Sequence, residues 1–392
     1  MATTRRYDLD WLRVGVFALL IFYHVGMFFV PWGWHLKNPV IYPELRWPML
    51  FLNQWRLPIL FVISGMGTYY AYSFRSPGQY ALERLKRLGI PLLFGMLVIV
   101  PPQVYLERLA NGAFAGTYWA YYTSEAFKGV YPSGNISWHH LWFLPYLLLF
   151  SLLLARPFRR IKDHPGRLIS WVTKQLETPW GWPIFLLPLY LWEAFLEPSF
   201  NITHALIGDW FALVNYGTLF LFGFLLIAAG KAFWDNAVRY RRRNLLLGLL
   251  SFSTLVVLWQ FEDGVLRHFT EAAVSVFNFW TWIFVLFGYA AVYLNKPSRL
   301  LTYCNRAVYP FYILHQTITL WIAYQIRDLP WGFWPKCLVL TVGTFGICLL
   351  IYHFLLRPWP LLHPLFGIKP VKKGSAQTSL PGPSAGPDSG KG

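Results

Sequence analysis

Charge is what this chain has least of. Only 13% of its 392 residues are Asp, Glu, Lys or Arg, where a soluble domain carries about a quarter. That scarcity excludes an ordinary water-facing surface. Acidic residues are the rarer sign, 17 against 34 basic, for a net charge of +17. The basic residues fall in short runs between apolar segments rather than on one face, which excludes nucleic acid as a partner. Cysteine is scarcer still: Cys304, Cys337 and Cys348 form no CxxC pair and imply neither a disulfide framework nor a zinc site. His139 and His140 are adjacent but lack a third ligand nearby, so no metal and no permanently bound cofactor is expected. No small-residue cleavage site follows the first apolar run, so that run is expected to stay as an uncleaved span. There is also no internal repeat of the inverted kind found in many transporters.

What is present is hydrophobic. Apolar residues make up 56% and aromatic ones 20% of the chain, the composition of a polytopic membrane protein. Apolar windows fall near 14–32, 50–72, 88–106, 140–155, 182–197, 209–230, 244–259, 272–294, 307–326 and 334–356. With the N-terminus inside, 26 of the 34 basic residues fall in segments on the inner side and seven on the outer, alternating loop by loop. The positive-inside rule demands that pattern of ten spans with both ends cytoplasmic. The expected fold class is therefore an all-α integral membrane bundle of about ten transmembrane helices, N- and C-termini cytoplasmic. Residues 1–370 form one transmembrane domain, and 371–392, rich in Gly, Ser and Pro, read as a disordered cytoplasmic tail.

Within that apolar background a few polar residues stand out. Arg13 opens the first span and His24 lies inside a run, Val14–Trp32, that carries no charged residue. Eleven residues at 1.5 Å each span about 16 Å and return to within about 20° of the starting direction, so the two share a helix face. An ionisable group at that depth is a functional-site hypothesis by default. His315, nine residues beyond Arg306 on the ninth window, enters from the same side to similar depth. A neutral imidazole can take a proton from a hydroxyl, the task of a general base; the competing reading is that each histidine bonds a backbone carbonyl and packs helices. Glu193 sits in mid-window, a costly place for a carboxylate. It either pairs with Arg56 near the outer end of the second window or is protonated. Asn53, Gln54 and Arg56 make a polar patch where acceptor hydroxyls could be held.

Two loops add chemistry. On the inner side Arg84 and Arg87 stand at i and i+3, one face of a helix at the membrane surface. Guanidinium forks match phosphate oxygens bidentately, which suits a phosphorylated donor; ordinary positive-inside charge accounts for the pair equally well. On the outer side residues 107–138, followed by His139, His140 and Trp142, are dense in Tyr and Trp. Aromatic faces with polar tips suit sugar rings, and they also suit an interfacial belt.

These residues resemble those of the membrane-bound acyltransferase-3 family. Asp10-Trp11-Leu12-Arg13 followed by His24 is similar to the family's Arg-x10-His pattern. Leu57-Pro58-Ile59-Leu60-Phe61-Val62-Ile63-Ser64-Gly65 resembles its second-span signature, and Arg84 with Arg87 falls on its Arg-x-x-Arg pair. His140-Leu141-Trp142-Phe143-Leu144 and Tyr312-Ile313-Leu314-His315 resemble two further blocks. Five such blocks in order span essentially everything from Tyr7 to Val371. No extra hydrolase-like domain is expected after the last span, and the resemblance is then to the short, glucan-modifying branch.

The resemblance implies transfer of an acyl group, succinyl or acetyl, from cytoplasmic acyl-CoA to a hydroxyl of a periplasmic or cell-surface glycan. It implies a multi-pass protein of the bacterial inner membrane, working with glycan-synthesis machinery. His24 and His315 become the catalytic candidates, His24 as base or as a transient acyl carrier. Arg13, Arg84 and Arg87 become the donor-binding set, and Arg56, Glu193, His140, Trp142 and Tyr312 the acceptor-binding set. His315, Tyr312 and Arg56 are each able to steady the oxyanion. The alternative is a glycan or small-molecule transporter or flippase without acyl chemistry, which would share the buried histidines, Arg56 and Glu193 but has no need of the inner arginine pair.

Overall fold

Backbone polar groups in hydrocarbon must be satisfied within the segment, and a chain this apolar is therefore expected to be helical. The computed structural model describes residues 5–369; the expected tail at 371–392 lies outside the described residues. Among the described residues there is no β-strand, and the one isolated bridge joins Val130 and Ile136 in a connecting loop.

In chain order the main helices are α1 (Tyr7–Met27), α2 (Arg46–Ala71), α3 (Pro77–Ala110), α4 (His139–Leu153), α5 (Ala155–Asp163), α6 (Gly166–Leu176) and α7 (Leu186–Leu191). Then follow α8 (Trp210–Ala228), α9 (Lys231–Arg239), α10 (Arg241–Leu258), α11 (Val265–Tyr293), α12 (Arg299–Ile326) and α13 (Phe333–Leu356). Six of these, α1, α2, α3, α8, α11 and α13, are long and apolar enough to cross a membrane. Counting α4 with α5 as one span bent by 52° makes seven. The ten windows all coincide with helical segments, but three fall short for separable reasons. The window at 182–197 is broken into a short 3-10 turn, the six residues of α7 and a π-turn at Trp192–Leu196. Helices α10 and α12 are long, yet α10 opens on Arg241, Arg242 and Arg243, and α12 carries Arg299, Asn305, Arg306, His315 and Gln316.

Close helix contact is set by small residues. A Cβ on Gly65 of α2 would stand 1.9 Å from the Phe220 carbonyl oxygen, and one on Gly223 of α8 would stand 1.9 Å from that of Val62. The two backbones meet there because neither glycine carries a side chain, the usual device where apolar lipid offers no driving force for helix association. Helix ends are closed by cations. Lys162 and Arg159 of α5 donate to the Tyr69 and Tyr72 carbonyls at 2.6 and 3.1 Å, and Lys37 donates to those of Met27 and Val30 just past α1. Both arrangements place positive charge on the electronegative end of a helix.

Helix α3 is interrupted by π-turns at Leu85–Gly89 and Gly95–Ile99. Such bulges are rare and are frequent at functional sites. Two of the residues singled out above lie on π-turns, Arg87 on the first of these and Glu193 on Trp192–Leu196.

Candidate functional site

The helix periodicities bring the buried polar residues together. Helix α1 packs beside α12, and the His24 and His315 rings stand edge to face with centroids 5.1 Å apart. His140, from the 3-10 turn that begins α4, joins them at 5.0 Å from His315. Each imidazole has a definable tautomer where its partner is a carbonyl, because a carbonyl can only accept. His315 Nδ1 lies 2.7 Å from the Tyr312 oxygen and 3.1 Å from that of Phe311. It therefore carries the proton, and Nε2 is left as the basic nitrogen. His140 Nε2 likewise donates to the Ile313 oxygen at 3.0 Å, while its Nδ1 faces the Gln103 amide at 3.4 Å.

Arg56 completes the cluster. Its guanidinium lies 3.5 Å above the Tyr23 ring, next along α1 from His24, and the side chain is 3% exposed. Neither Arg56 nor Glu193 pairs with an opposite charge among the described residues, so the Arg56–Glu193 ion pair that the sequence allowed is not formed. Among the 17 buried side-chain atoms without a hydrogen-bond partner in the described residues, four belong to this cluster: His24 Nδ1, His315 Nε2, and Nε and Nη1 of Arg56. Buried polar groups are almost always paired. Four orphans on three neighbouring side chains, all ionisable, make this cluster the candidate reaction centre.

Below this cluster a column of aromatic side chains runs along α12 at i, i+3 and i+6. Tyr309, Tyr312 and His315 follow one another with centroids 6.3 and 6.1 Å apart. Tyr312 is anchored by donating to the His140 carbonyl at 2.8 Å. At the foot of the column stand the arginines. Arg87 lies 5.4 Å from the Tyr309 ring and donates to the Gly367 carbonyl at 3.4 Å. Gly367, at φ +60°, is where the C-terminal segment turns against α3; a Cβ there would lie 2.6 Å from Tyr309. Arg84 sits over Tyr80 and leaves Nε unpartnered. Arg13, on the same end of α1, is held by Asp10 at 2.7 Å and by Asn305. The sequence did not point to Lys369, which completes this end. Arg87 foremost, and then burial, pulls its ammonium down to about 8. Arg87, Lys86 and Lys369 line a cavity of about 520 Å³ with Leu82, Ile90, Pro364 and one carboxylate, Glu83, which is paired with Arg75 at 2.9 Å. Cations gathered this closely with few counter-charges make an anion site.

The remaining sequence candidates divide. Trp142 is buried, its ring 3.8 Å from that of His204, and Glu193 lines a cavity of about 320 Å³ with Asn53, Gln54, His204, Asn215 and Ser275. Burial pushes the His204 imidazole down to about 4, so it is neutral at pH 7. Thus Glu193 and Trp142 lie beside this polar cavity, while His140 and Tyr312 belong to the histidine column.

The chain matches the family described as the acyltransferase domain over residues 6–353. It is 25% identical over 386 residues to the glucans biosynthesis protein C of Escherichia coli strain SMS-3-5 / SECEC, covering 94% of this chain and 96% of that protein. The protein of the same name from Escherichia coli O9:H4 strain HS gives the same identity and the same coverage. No solved structure matches the chain.

Proposed function

The chain belongs to the acyltransferase domain family and is a multi-pass membrane protein, and on that premise we propose that it is an O-acyltransferase of the bacterial inner membrane. It moves a succinyl or acetyl group from cytoplasmic acyl-CoA to a hydroxyl of a periplasmic or cell-surface glucan. Both termini face the cytoplasm in this reading, so the arginine end of the bundle meets the donor and the histidine end meets the acceptor.

One observation carries the proposal: unpartnered His24, His315 and Arg56 nitrogens converge at one end of a column whose other end is a cluster of cations. The chemistry follows in order. Arg13, Arg84, Arg87 and Lys369 hold the donor's phosphates. His24 takes the proton of the acceptor hydroxyl as its oxygen attacks the thioester carbonyl. Arg56, whose two free nitrogens need no rearrangement to donate, steadies the oxyanion of the tetrahedral intermediate. The carbon–sulfur bond then breaks, and the thiolate recovers the proton from the His24 imidazolium. His315, fixed by its Nδ1–H on two carbonyls, holds the neighbouring ring in place. Glu193, with His140, Trp142 and Tyr312 walling the reaction centre, completes the acceptor side, where amides and hydroxyls of the 320 Å³ cavity can hold the sugar being modified.

The test is mass analysis of glycans from cells with the wild-type protein, with His24→Ala, and without the gene. An acyl mass increment seen only with wild type, at unchanged protein level, is the expected result. Identical glycans from wild-type and deletion cells would overturn the reading and favour transport without chemistry.

A further inference from the structure

A third cavity reaches His24 through Trp34, and the mechanism above makes no use of it. Its volume is about 490 Å³, within the range of roughly 300–1,000 Å³ typical of small-molecule sites. Segments far apart in sequence build it: Trp34 and His35 from the loop after α1, Glu107 and Asn111 from the end of α3, Tyr131 from the following loop, and Arg327 just past α12. All of these lie at the end of the bundle to which α1 delivers His24.

The walls are fixed rather than loose. Glu107 is 6% exposed and holds the His35 ring through Nδ1, while Tyr131 donates to it at 3.2 Å. Arg108 ties down the loop that carries Tyr131, donating to the Asn135 side chain at 3.0 Å and to the Pro132 and Gly134 carbonyls at 2.8 Å each. His139 packs on His35 with ring centroids 4.3 Å apart, in a left-handed backbone conformation at φ +39°, and its buried Nε2 has no partner. A non-glycine residue held in that region is a strain that surrounding structure must maintain.

The chemistry of the lining selects its guest. Two cations, Lys37 and Arg327, share the wall with Glu107, but Lys37 is turned onto the Met27 and Val30 carbonyls, and the mixed polar floor disfavours a lipid chain. Carboxylate, amide and guanidinium beside indole and phenol faces suit a neutral polyhydroxylated ring, which offers hydroxyls at its rim and C–H groups on its face. Trp34 matters most. Its indole belongs to the cavity wall and also stands 6.2 Å from the His24 ring, so one side chain separates the cavity from the reaction centre.

We propose that this cavity is a second carbohydrate subsite, which holds a sugar unit adjoining the one that is acylated, with Trp34 as its platform and partition. The proposal rests on the O-acyltransferase reading and adds to it: the acceptor is a chain of sugars gripped at two places rather than a single hydroxyl compound. Binding remote from the reacting hydroxyl then positions that hydroxyl.

The test uses the full-length protein in lipid nanodiscs, with glucose and a series of short glucose oligosaccharides of differing linkage as probes. Asn111→Ala combined with Arg327→Ala removes two wall groups, one exposed and one half-buried, neither of which the mechanism uses. Binding of the oligosaccharides is read by tryptophan fluorescence, and acyl transfer by mass. With wild type, binding tightens and acceptor KM falls as the oligosaccharide lengthens. The double variant is expected to lose about ten- to thirtyfold of that gain, the worth of two hydrogen bonds, at unchanged kcat and unchanged transfer to glucose. Equal oligosaccharide binding by the two proteins, or no binding by wild type, would overturn the subsite. Donor cleavage without added glycan separates the two readings: if wild type neither cleaves acyl-CoA nor acylates any glycan, the enzyme reading fails, while the binding comparison still decides the cavity.

Discussion

Arg56 offers the sharpest test, because its removal should move stability and activity in opposite directions. Replacing it with Met keeps most of the side-chain volume and removes the charge. What is lost is the cation–π contact with Tyr23 at 3.5 Å, worth about 2 kcal/mol when desolvated. What is relieved is a buried cation with two unpartnered nitrogens and, among the described residues, no ion pair, a burden of several kcal/mol. Arg56→Met should therefore leave thermal stability unchanged or raise it by up to a few kcal/mol.

Activity should move the other way. Removing one preorganised oxyanion donor costs about 10²–10³ in turnover, or roughly 2.7–4 kcal/mol. The assay is single-turnover acyl transfer at saturating donor, alongside thermal unfolding of the same protein in nanodiscs. Arg56→Lys keeps the charge but not the planar fork, and should recover only part of the rate. A Met variant that unfolds several kcal/mol sooner and keeps its turnover would refute the assignment of Arg56 to the reaction.

Three further outcomes follow from the same geometry. Arg84→Ala with Arg87→Ala should raise the acyl-CoA KM by about 10–100-fold, one or two charge-assisted hydrogen bonds, and leave the acceptor KM within a factor of a few; steady-state kinetics with each substrate varied in turn checks it. Because Lys369 is charged only below about 8 in the free protein, donor affinity should fall as pH rises through that value, with the midpoint shifted upward once phosphate is bound; Lys369→Gln should flatten the profile measured from pH 6 to 9. Gly65→Ala puts a methyl group where the Phe220 carbonyl already stands, so it should lower the unfolding temperature of the purified protein and the yield of folded material, whereas Gly67→Ala, with open space around it, should not.

Much of the site was legible because helix geometry is rigid. The eleven-residue spacing of Arg13 and His24, and the nine from Arg306 to His315, give depth and face without knowledge of packing, and the two rings do meet. Membership of the acyltransferase family was legible for the same reason, since its signature blocks sit at fixed places on spans. The rest depended on contacts between distant segments. His140 read as part of an aromatic loop at the interface, yet the turn His139–Trp142 tucks it against His315. Glu193 and Arg56 are the two charges that composition alone would pair, and the break at Trp192–Leu196 sets the carboxylate beside amides instead. Glu107 and His35 are 72 residues apart. The only signal for them was an acid at the end of an apolar helix in a chain with 17 acids.

The separation of the two clusters also limits what the donor can be. Arg13 and His24 stand about 16 Å apart along α1, and the column of Tyr309, Tyr312 and His315 fills the space between their ends with aromatic rings rather than with charge. A phosphate held by Arg13, Arg84 and Arg87 cannot approach His24 without leaving its cations for hydrocarbon, at a cost no neutral base repays. The reactive carbon must therefore sit at the end of a long, uncharged arm. An acyl thioester of coenzyme A has that form; an acyl phosphate, whose reactive carbon adjoins its charge, does not. On the proposed reading the acceptor is under the opposite constraint: a glycan is too polar to cross to the arginine end, so its hydroxyl would meet the thioester where His24 and Arg56 stand. On that reading only the acyl group has to pass across, and the unpartnered nitrogens of His24, His315 and Arg56 mark where it would change hands.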